Sequence, residues 1–400
     1  MQKKLMILGG SRYILPLIKI AHELGIYVIT VDYLPDNYAH KYSDQYENIS
    51  ILDKEKVLQR ARELHIDGIS SFACDPGVVT AGYVAEQMNL PSPGPYESIC
   101  ILQNKGKFRE FLAKHRFNVP TAKQFNNADD ALKYIDIFHW PIIVKPTDSA
   151  GSKGVKKVEK KEDLLPAIEN AIKFSHSHEF IIEDFLTQVG CSSDADSFSI
   201  DGKMVFYSFS SQMFDTKCEN PYTPSGYYWP STISKIHLDE LRKEIQRLVT
   251  LLHLKTSCYN IEVRECTDGK AYIMELSPRG GGNRLSEMAD IATDANLIRN
   301  HVKYCVGFPL DEIKDQPFAF PLIELILHSE KPGVFSHLSI DEKIKDNVIE
   351  EDLWIKEGTE VGGFSGANEA IGTLVIKCDS EKQMHEIIEH QKEYVKVVLK

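Results

Sequence analysis

The sequence predicts a multidomain protein that combines α/β and α+β units, and three observations support this prediction. The chain has 400 residues, which is more than a single hydrophobic core usually serves. Residues 3–33 follow the order strand, Gly-rich turn, amphipathic helix and strand, with apolar runs typical of buried parallel strands. Residues 259–276 alternate between apolar and polar side chains on either side of Asp268-Gly269, which predicts a β-hairpin.

The composition excludes several classes of function. The formal net charge of −12 argues against a general nucleic-acid or anionic-membrane surface. No apolar run approaches the length of a membrane span, and we expect a cytoplasmic protein without nucleic-acid or membrane partners. The eight cysteines are scattered without a C-x-x-C pair, which indicates reduced thiols and no zinc cluster.

The ends of the chain differ in character. Gly9-Gly10-Ser11-Arg12 lacks the G-x-G-x-x-G spacing, so NAD binding is only weakly indicated, despite Asp32 at the end of the second strand. The Pro-rich run at residues 91–95 marks a boundary, and the first domain is expected over residues 1–97. Gly-containing turns, a strand and a final helix predict a small α+β domain over residues 317–400.

The predicted hairpin carries the clearest chemical signal. If Asp268 and Gly269 form a two-residue type I′ turn, Glu262 lies directly opposite Glu275. Facing carboxylates with Cβ atoms roughly 5 Å apart destabilise a sheet unless a cation compensates their charge. Ser277 points to the same side, so we predict a divalent metal site on this face. A solvated hairpin face is the alternative.

The segment after the hairpin adds positive charge. Arg279-Gly-Gly-Gly-Asn283-Arg284 combines a flexible backbone, whose amides are predicted to be exposed, with two guanidiniums, a set suited to phosphate or carboxylate oxygens. Carboxylates that hold a hard metal beside arginines indicate phosphoryl chemistry on Mg-ATP. Residues 212–232 are rich in Pro, Tyr and Gly, a composition found in substrate-lining loops, although surface packing is its commoner explanation. Within this stretch, residues 222–229 are a candidate cover for a substrate.

Three upstream segments are candidates for nucleotide contacts. Residues 104–109 open a helix with three cations near its N-terminus, where the helix dipole disfavours them; a bound anion or a solvated basic face would explain this. The apolar strand that ends at Lys145 precedes a small-residue loop at 148–155, whose N–H groups can approach phosphate. The strand at 180–186 runs into acidic residues, and its end can supply an adenine slot or be a plain strand end.

Taken together, these segments resemble the ATP-grasp superfamily of carboxylate-amine ligases, in the branch that includes biotin carboxylase, carbamoyl-phosphate synthetase, purine-pathway ligases and L-amino acid ligases. The resemblance rests on motifs in a fixed order along nearly the whole chain: Lys105, Lys145 with its loop, Glu183 to Leu186, Glu262, Glu275 and Arg279. It implies a Rossmann-like pre-ATP-grasp domain over residues 1–97, an ATP-grasp domain over 98–316 and a C-terminal α+β domain over 317–400. The lid is expected at about 120–186 and the metal-binding lobe at about 187–316.

The resemblance also implies a role for each candidate residue. In the ATP-binding set, Lys105 and Lys145 contact the phosphates, and a flap over the phosphates comprises Ser149, Gly151, Ser152 and Gly154. The adenine site comprises Glu183, Asp184, Phe185 and Leu186, with the backbone N–H of Phe185 facing the base. Asp194 contacts the ribose. The remaining set comprises Glu262, Glu275 and Ser277 for Mg²⁺ or Mn²⁺, Arg279 and Glu275 for catalysis, and Asn283 and Arg284 for the substrate. Most relatives have Asn where this chain has Ser277, and Glu where Asp194 is the nearest ribose candidate.

The implied function is ATP-dependent ligation. A small carboxylate is phosphorylated to an acyl phosphate and coupled to an amine, with release of ADP and phosphate; the partners are small molecules, and a homodimer is left open. One alternative is a biotin-carboxylase-like or purine-pathway enzyme. Another is an ATP-binding protein without ligase activity, which the departure at Ser277 keeps open.

Overall fold

The computed structural model describes residues 2–149, 151, 153–218 and 220–400. Its strands are β1 (Lys4–Leu8), β2 (Tyr27–Asp32), β3 (Gln45–Asn48), β4 (Gly68–Ser70), β5 (Ala122–Phe125), β6 (Ile142–Pro146), β7 (Lys156–Val158), β8 (Phe180–Asp184), β9 (Ser193–Ile200), β10 (Lys203–Tyr207), β11 (Ser211–Phe214), β12 (Pro224–Trp229), β13 (Ser257–Glu265), β14 (Ala271–Ser277), β15 (Leu322–Leu327), β16 (Gly333–Ile340), β17 (Val348–Leu353), β18 (Glu360–Val361), β19 (Gly372–Lys377) and β20 (Val395–Leu399).

The α-helices are α1 (Leu15–Glu23), α2 (Lys54–Leu64), α3 (Asp75–Met88), α4 (Tyr96–Leu102), α5 (Lys105–Lys114), α6 (Ala128–Tyr134), α7 (Leu164–Lys173), α8 (Lys235–Leu251), α9 (Leu285–Thr293), α10 (Leu297–Cys305), α11 (Glu342–Lys345), α12 (Glu381–Glu389) and α13 (Gln391–Tyr394). Short 3-10 helices lie at Arg12–Ile14, Tyr38–Tyr42, Ile135–Ile137, Lys161–Asp163 and Ala367–Glu369. No helix in the described part of the chain is long and apolar enough to cross a membrane.

The first sheet is parallel, with strand order β3-β2-β1-β4. Leu5 and Ile7 of β1 pack against α1 and α10 on one face, whereas Met6 and Leu8 pack against α2 and α3 on the other. Because helices cover both faces, the four positions after Lys4 are all apolar and buried. The predicted βαβ opening is confirmed, with α10 added from a distant part of the sequence.

The second sheet is antiparallel, with strand order β10-β9-β13-β14. Its inner face carries Ala195 and Ile261, which pack with α8 in the largest apolar cluster of the described chain. Side chains alternate along a strand, so the neighbouring Asp194 and Glu262 lie on the opposite face. This polar face points toward the third sheet, which has strand order β5-β8-β6-β7, packs against α6 and α7 and occupies the region predicted to be the lid.

The remaining sheets cross a predicted boundary. The order β11-β12-β15-β19-β17 joins strands from residues 211–229 to strands from residues 322–377. A smaller sheet, β18-β16-β20, completes the C-terminal part. The predicted divisions at residues 97 and 316 stay predictions, but neither separates independent layers, since α10 covers the first sheet and β12 pairs with β15.

Gly68 at the start of β4 marks a close approach of strand and helix. A Cβ atom built on Gly68 would lie 2.1 Å from the carbonyl oxygen of Cys305 at the end of α10. We expect Gly68→Ala to lower the free energy of unfolding by about 1–3 kcal/mol, because backbone must move to admit the methyl group. Urea denaturation measures this change. The control is Gly366→Ala, where a Cβ atom meets nothing within 4 Å; equal losses in both variants would contradict the prediction.

Candidate active site

Three carboxylates lie side by side across the second sheet. Asp194 of β9 pairs with Glu262 of β13, which in turn pairs with Glu275 of β14. Burial and the neighbouring Asp196 and Glu262 carboxylates raise the pKa of Asp194 to about 8. The predicted opposition of Glu262 and Glu275 is confirmed, and Asp194 extends it into what we call the carboxylate row. A cation among these side chains would relieve their mutual repulsion.

The hairpin has the predicted pairing of Glu262 with Glu275, but its turn differs from the predicted one and a bulge compensates for the difference. The turn spans residues 266–270, where Gly269 has φ +77° and Asp268 does not have a positive φ, so the predicted type I′ turn is wrong. Near the turn, Val263 pairs with Ile273; a bulge at Met274 then shifts the register by one residue and brings Glu275 opposite Glu262. The inserted residue offsets the different turn.

A second row lies one step along the same strands. Asp196 pairs with Asn260, which pairs with Ser277. The Asp196 carboxylate is fully buried and accepts hydrogen bonds from the backbone N–H of Gly281 at 2.8 Å and from the Ser286 hydroxyl. The Gly-rich segment is therefore held against the sheet, and the Gly281 N–H is not the exposed, flexible anion donor that the sequence suggested.

Ser277 and Arg279 connect this row to the first sheet through Asp75. The Arg279 guanidinium forms a bidentate ion pair with the Asp75 carboxylate, with an Nε–Oδ1 distance of 2.9 Å and an Nη2–Oδ2 distance of 2.6 Å. The Ser277 hydroxyl donates to Asp75 at 3.0 Å and accepts from Gln103 at 2.8 Å. One lone pair of Ser277 stays free. Ser277 can therefore offer a metal only this one lone pair, which is less than the sequence predicted.

Of the three cations in the first turns of α5, Lys105, Lys107 and Arg109, two face carboxylates. Lys105 Nζ lies 3.4 Å from Glu275 and donates to the Ser149 carbonyl at 3.2 Å. Burial lowers the pKa of Lys105, but the Glu275 and Asp75 carboxylates outweigh it and raise the pKa. Lys107 is exposed. Protein carboxylates therefore offset much of the unfavourable placement of cations at this helix N-terminus.

The third cation, Arg109, belongs to a buried ionic group that sequence analysis missed. The Glu183 carboxylate is 1% exposed and contacts Arg109 Nε at 2.8 Å and Lys145 Nζ at 2.7 Å. Burial opposes ionisation of Glu183, yet these two cations lower its pKa to about 2. Burial lowers the pKa of Lys145. A second donor of Arg109, Nη1, binds the carbonyl of the bulge residue Met274 at 2.9 Å.

The end of β8 forms an apolar slot. Leu186 packs against Cys266, Tyr272 and Met274 of the hairpin. Asp184 is turned away, since its carboxylate accepts from the N–H and the ring of His139 at 2.8 and 2.9 Å. An apolar environment of this kind suits a purine base.

The backbone N–H of Phe185 is engaged elsewhere. It donates to the Pro141 carbonyl at 3.0 Å, so it is not available to a base as the sequence suggested. The next N–H along the chain, that of Leu186, borders the apolar slot and has no backbone acceptor among the described residues. The adenine role of this segment stays a prediction, and the backbone donor available for it is that of Leu186 rather than that of Phe185.

The small-residue loop after β6 has a fixed base. The Asp148 carboxylate accepts from the Ser175 hydroxyl at 2.8 Å and from the Ser177 N–H at 2.8 Å. Gly151 and Gly154 have φ of +67° and +73°, a conformation that favours glycine. Ser152, part of the predicted flap, lies outside the described residues.

The predicted substrate residues differ in availability. Asn283 donates to the Tyr227 hydroxyl at 3.0 Å. Arg284 is already engaged, with Nη1 at 2.5 Å from Glu350 and Nε at 3.3 Å from Glu287, so it is not a free guanidinium for a substrate carboxylate. Both residues have positive φ, 53° and 60°. Non-glycine residues in this region cost energy and concentrate at functional sites.

The predicted cover at residues 222–229 is largely a strand. Tyr227 and Trp229 belong to β12, are 1% exposed, and lie inside a five-stranded sheet. This part of the segment is therefore not a mobile loop over the site.

Comparison with known proteins agrees with this geometry. Residues 138–287 match the family model described as the ATP-grasp domain. Over these residues the chain is similar to the ATP-grasp domain. The match includes Lys145, the Glu183 strand and the whole hairpin, so the predicted family resemblance is confirmed for these motifs.

Solved structures extend the likeness over the whole chain. The L-amino acid ligase from Bacillus licheniformis superposes with a TM-score of 0.80 at 19% identity, covering 100% of this chain and 99% of that chain. Phosphoribosylglycinamide synthetase from Anaerococcus prevotii gives a TM-score of 0.75 at 21% identity, with both chains fully covered. The predicted fold class, an ATP-grasp domain with flanking α/β and α+β parts, is confirmed.

A curated relative is longer than this chain. The carbamoyl phosphate synthase large chain of Thermotoga neapolitana is 24% identical over 304 residues, which is 75% of this chain but 27% of that protein. The similarity therefore covers about a quarter of that protein.

Arg109 is expected to be essential for the stability of the ATP-grasp domain. Arg109→Met removes a cation from the buried Glu183 carboxylate and leaves the Met274 carbonyl without its donor. We expect the free energy of unfolding to fall by about 3 kcal/mol or more. Urea denaturation at neutral pH measures the loss. Lys107→Met, which removes an exposed cation from the same helix, is the matched control and should change stability by less than about 0.5 kcal/mol.

The same ionic group predicts an acid-dependent stability. The pKa of Glu183 is depressed from its usual 4.5 to about 2, so its stabilising contribution is complete above pH 4.5 and is lost as the pH falls toward 2. Its share of the slope approaches about 1.4 kcal/mol per pH unit in this window. In Arg109→Met the depression is smaller, and we expect a shallower slope between pH 4.5 and 3. Identical slopes in the two proteins would show that Arg109 does not hold the Glu183 pKa down.

Proposed function

We propose that the protein is an ATP-dependent ligase that phosphorylates a small carboxylate and couples the acyl phosphate to an amine. The observation that carries this proposal is the carboxylate row of Asp194, Glu262 and Glu275. Lys105 forms an ion pair with Glu275 at the end of the row, and Asp75 holds Arg279 beside it. Anionic ligands for a metal and cations for phosphate thus converge at one place. The likeness to an L-amino acid ligase and to a phosphoribosylglycinamide synthetase supports the same class of reaction.

In the proposed complex, ATP lies between the lid and the second sheet. Its base occupies the slot lined by Leu186 and Met274, with the Leu186 N–H as donor. Its phosphates meet Lys105, Lys145 and the loop at residues 148–155. Lys145 then exchanges part of its contact with Glu183 for a phosphate oxygen, and Arg109 keeps the carboxylate paired.

The donor set fits a hard divalent cation. Glu262 and Glu275 would hold Mg²⁺ or Mn²⁺, and Asp194 is better placed beside them than beside a ribose. A bound cation supplies charge neutralisation for the phosphates. Arg264, which contacts Glu262 at 2.8 Å, is a cation of the protein itself that adds positive charge at this site.

The chain contributes positioning and electrostatics to the reaction. A substrate carboxylate oxygen attacks the γ-phosphorus of ATP as the bond to the β,γ-bridging oxygen breaks, which yields an acyl phosphate and ADP. An amine nitrogen then attacks the acyl carbon, phosphate leaves, and the nitrogen loses a proton. Arg279, held by Asp75, stabilises negative charge on the transferred group, and the closed lid excludes water.

An ATP-binding protein without ligase activity is the second candidate. The observation that favours it is the engagement of the Ser277 hydroxyl by Asp75 and Gln103, which leaves the metal site with little from this residue. This candidate predicts Mg-ATP binding without product formation.

Glu275→Gln tests the proposed reaction. Phosphate release from Mg-ATP is measured across paired carboxylates and amines, and we expect release that requires both partners. In the variant, release should fall by about 100-fold or more, because one metal-binding charge is lost. Lys270→Ala, at the exposed hairpin tip, is the control and should retain full activity. Mg-ATP binding without release for any pair would favour the non-catalytic candidate.

A further inference from the structure

A buried carboxyl group lies beside the site without a partner. Glu324 is the central residue of β15, where it pairs with Tyr227 of β12 and Val375 of β19. Its exposure is 0%, and its neighbours Leu322 and Ile326 pack into an apolar cluster with α9. Neither carboxyl oxygen has a hydrogen-bond partner among the described residues. Leaving such a group unpaired is unfavourable, so its retention calls for a ligand or a structural reason.

The chain's own cation does not pair with it. Arg284 is the positive group whose charge acts on Glu324, but its guanidinium is engaged by Glu350 at 2.5 Å and by the Thr373 hydroxyl at 2.8 Å. Burial, the largest influence, raises the pKa of Glu324 well above its usual value. Burial thus disfavours the charge of Glu324 unless a cationic partner stabilises it.

A second buried polar group without a partner lies in another part of the fold. The Tyr13 hydroxyl, in the 3-10 helix Arg12–Ile14 after β1, is also buried without a hydrogen-bond partner among the described residues. Burial and the Glu324 carboxylate both raise the pKa of Tyr13. Tyr13 belongs to the first sheet unit and Glu324 to the C-terminal sheet, so two separate parts of the fold each contribute a buried polar group without a partner, close enough for the Glu324 charge to act on Tyr13.

Tyr227 connects this position to the carboxylate row. It is the cross-strand partner of Glu324, and its hydroxyl accepts from Asn283 at 3.0 Å. Burial raises the pKa of Tyr227, and the charges of Asp194 and Glu324 raise it further. The unpartnered carboxyl group therefore adjoins the site where the substrate of the proposed ligase would react.

We propose that Glu324, assisted by the Tyr13 hydroxyl, binds the protonated amino group of the substrate, which makes the phosphorylated substrate an amino acid. An ammonium group offers three donors and a positive charge to a carboxylate that has only acceptors. A hydroxyl group in the same position brings no charge and leaves most of the acceptors unused. The inference rests on the proposed function and specifies its substrate class.

Glu324→Gln is the deciding variant, since it keeps the shape and removes the charge. ADP release is measured with amino acids and with their 2-hydroxy acid analogues. We expect the KM for the amino acid to rise about 10- to 100-fold, the KM for the hydroxy acid to change less than about 3-fold, and the KM for ATP to stay unchanged. Glu351→Gln, which alters an exposed carboxylate on β17, is the matched control and should change none of these values.

Tyr13→Phe is the second variant and covers the case in which Glu324→Gln does not fold, as judged by Mg-ADP binding and thermal melting. We expect a smaller rise in the amino acid KM, about 5-fold. If the KM values for amino acids and hydroxy acids change equally, or if neither changes in a folded variant, the inference is overturned. The proposed ligase function is not affected by either result as long as the wild-type protein catalyses ligation.

Failure of the proposed function gives a different result. If the wild-type protein releases no ADP with any pair, amino acid binding is titrated in the presence of Mg-ADP. Amino acid binding that is measured for the wild type and is lost in Glu324→Gln still supports the inference. No amino acid binding to the wild type overturns it.

Discussion

The contacts of Arg109 hold the two sides of the candidate active site together. One guanidinium, on α5, reaches the Glu183 carboxylate of the lid and the Met274 carbonyl of the hairpin. Glu183 in turn holds Lys145 on the neighbouring lid strand. In so buried a place, a charge without its partner costs several kcal/mol, so these groups act as a unit. The same unit positions the proposed adenine site, because Met274 both belongs to its apolar cluster and forms the bulge that sets the register of Glu275.

A second ionic contact fixes the site to the rest of the molecule. Asp75, at the N-terminus of α3 in the first sheet unit, binds Arg279 with both carboxylate oxygens and also accepts from Ser277. The catalytic arginine of the proposed ligase is thus positioned by a residue about 200 positions earlier in the chain. This arrangement explains why the Gly-rich segment is packed rather than flexible: a Cβ atom at Gly280 would lie 2.1 Å from the Phe72 ring.

The sequence predicted which residue types matter better than it predicted what they contact. The pairing of Glu262 with Glu275 was predicted correctly although the turn type was wrong, because the bulge at Met274 restores the register that the longer turn shifts. Arg284 and Ser277 were predicted as ligand contacts, yet both are largely engaged by neighbouring side chains. Arg109 was seen only as one of three cations on a helix, since nothing in its local sequence indicates that Glu183 lies beside it.

The sequence by itself determined the order of motifs, the alternation that places Glu262 and Glu275 on the polar face of a hairpin, and the continuous apolar runs of the parallel sheet. These are local properties, because periodicity and turn chemistry act over a few residues. Only the tertiary structure decided that Asp194 joins the carboxylate row, that Asp75 holds Arg279, and that Glu324 lies without a partner beside Tyr227. Each of these depends on which distant strands become neighbours, and pairing across so many residues is settled by the packing of whole sheets rather than by local propensity.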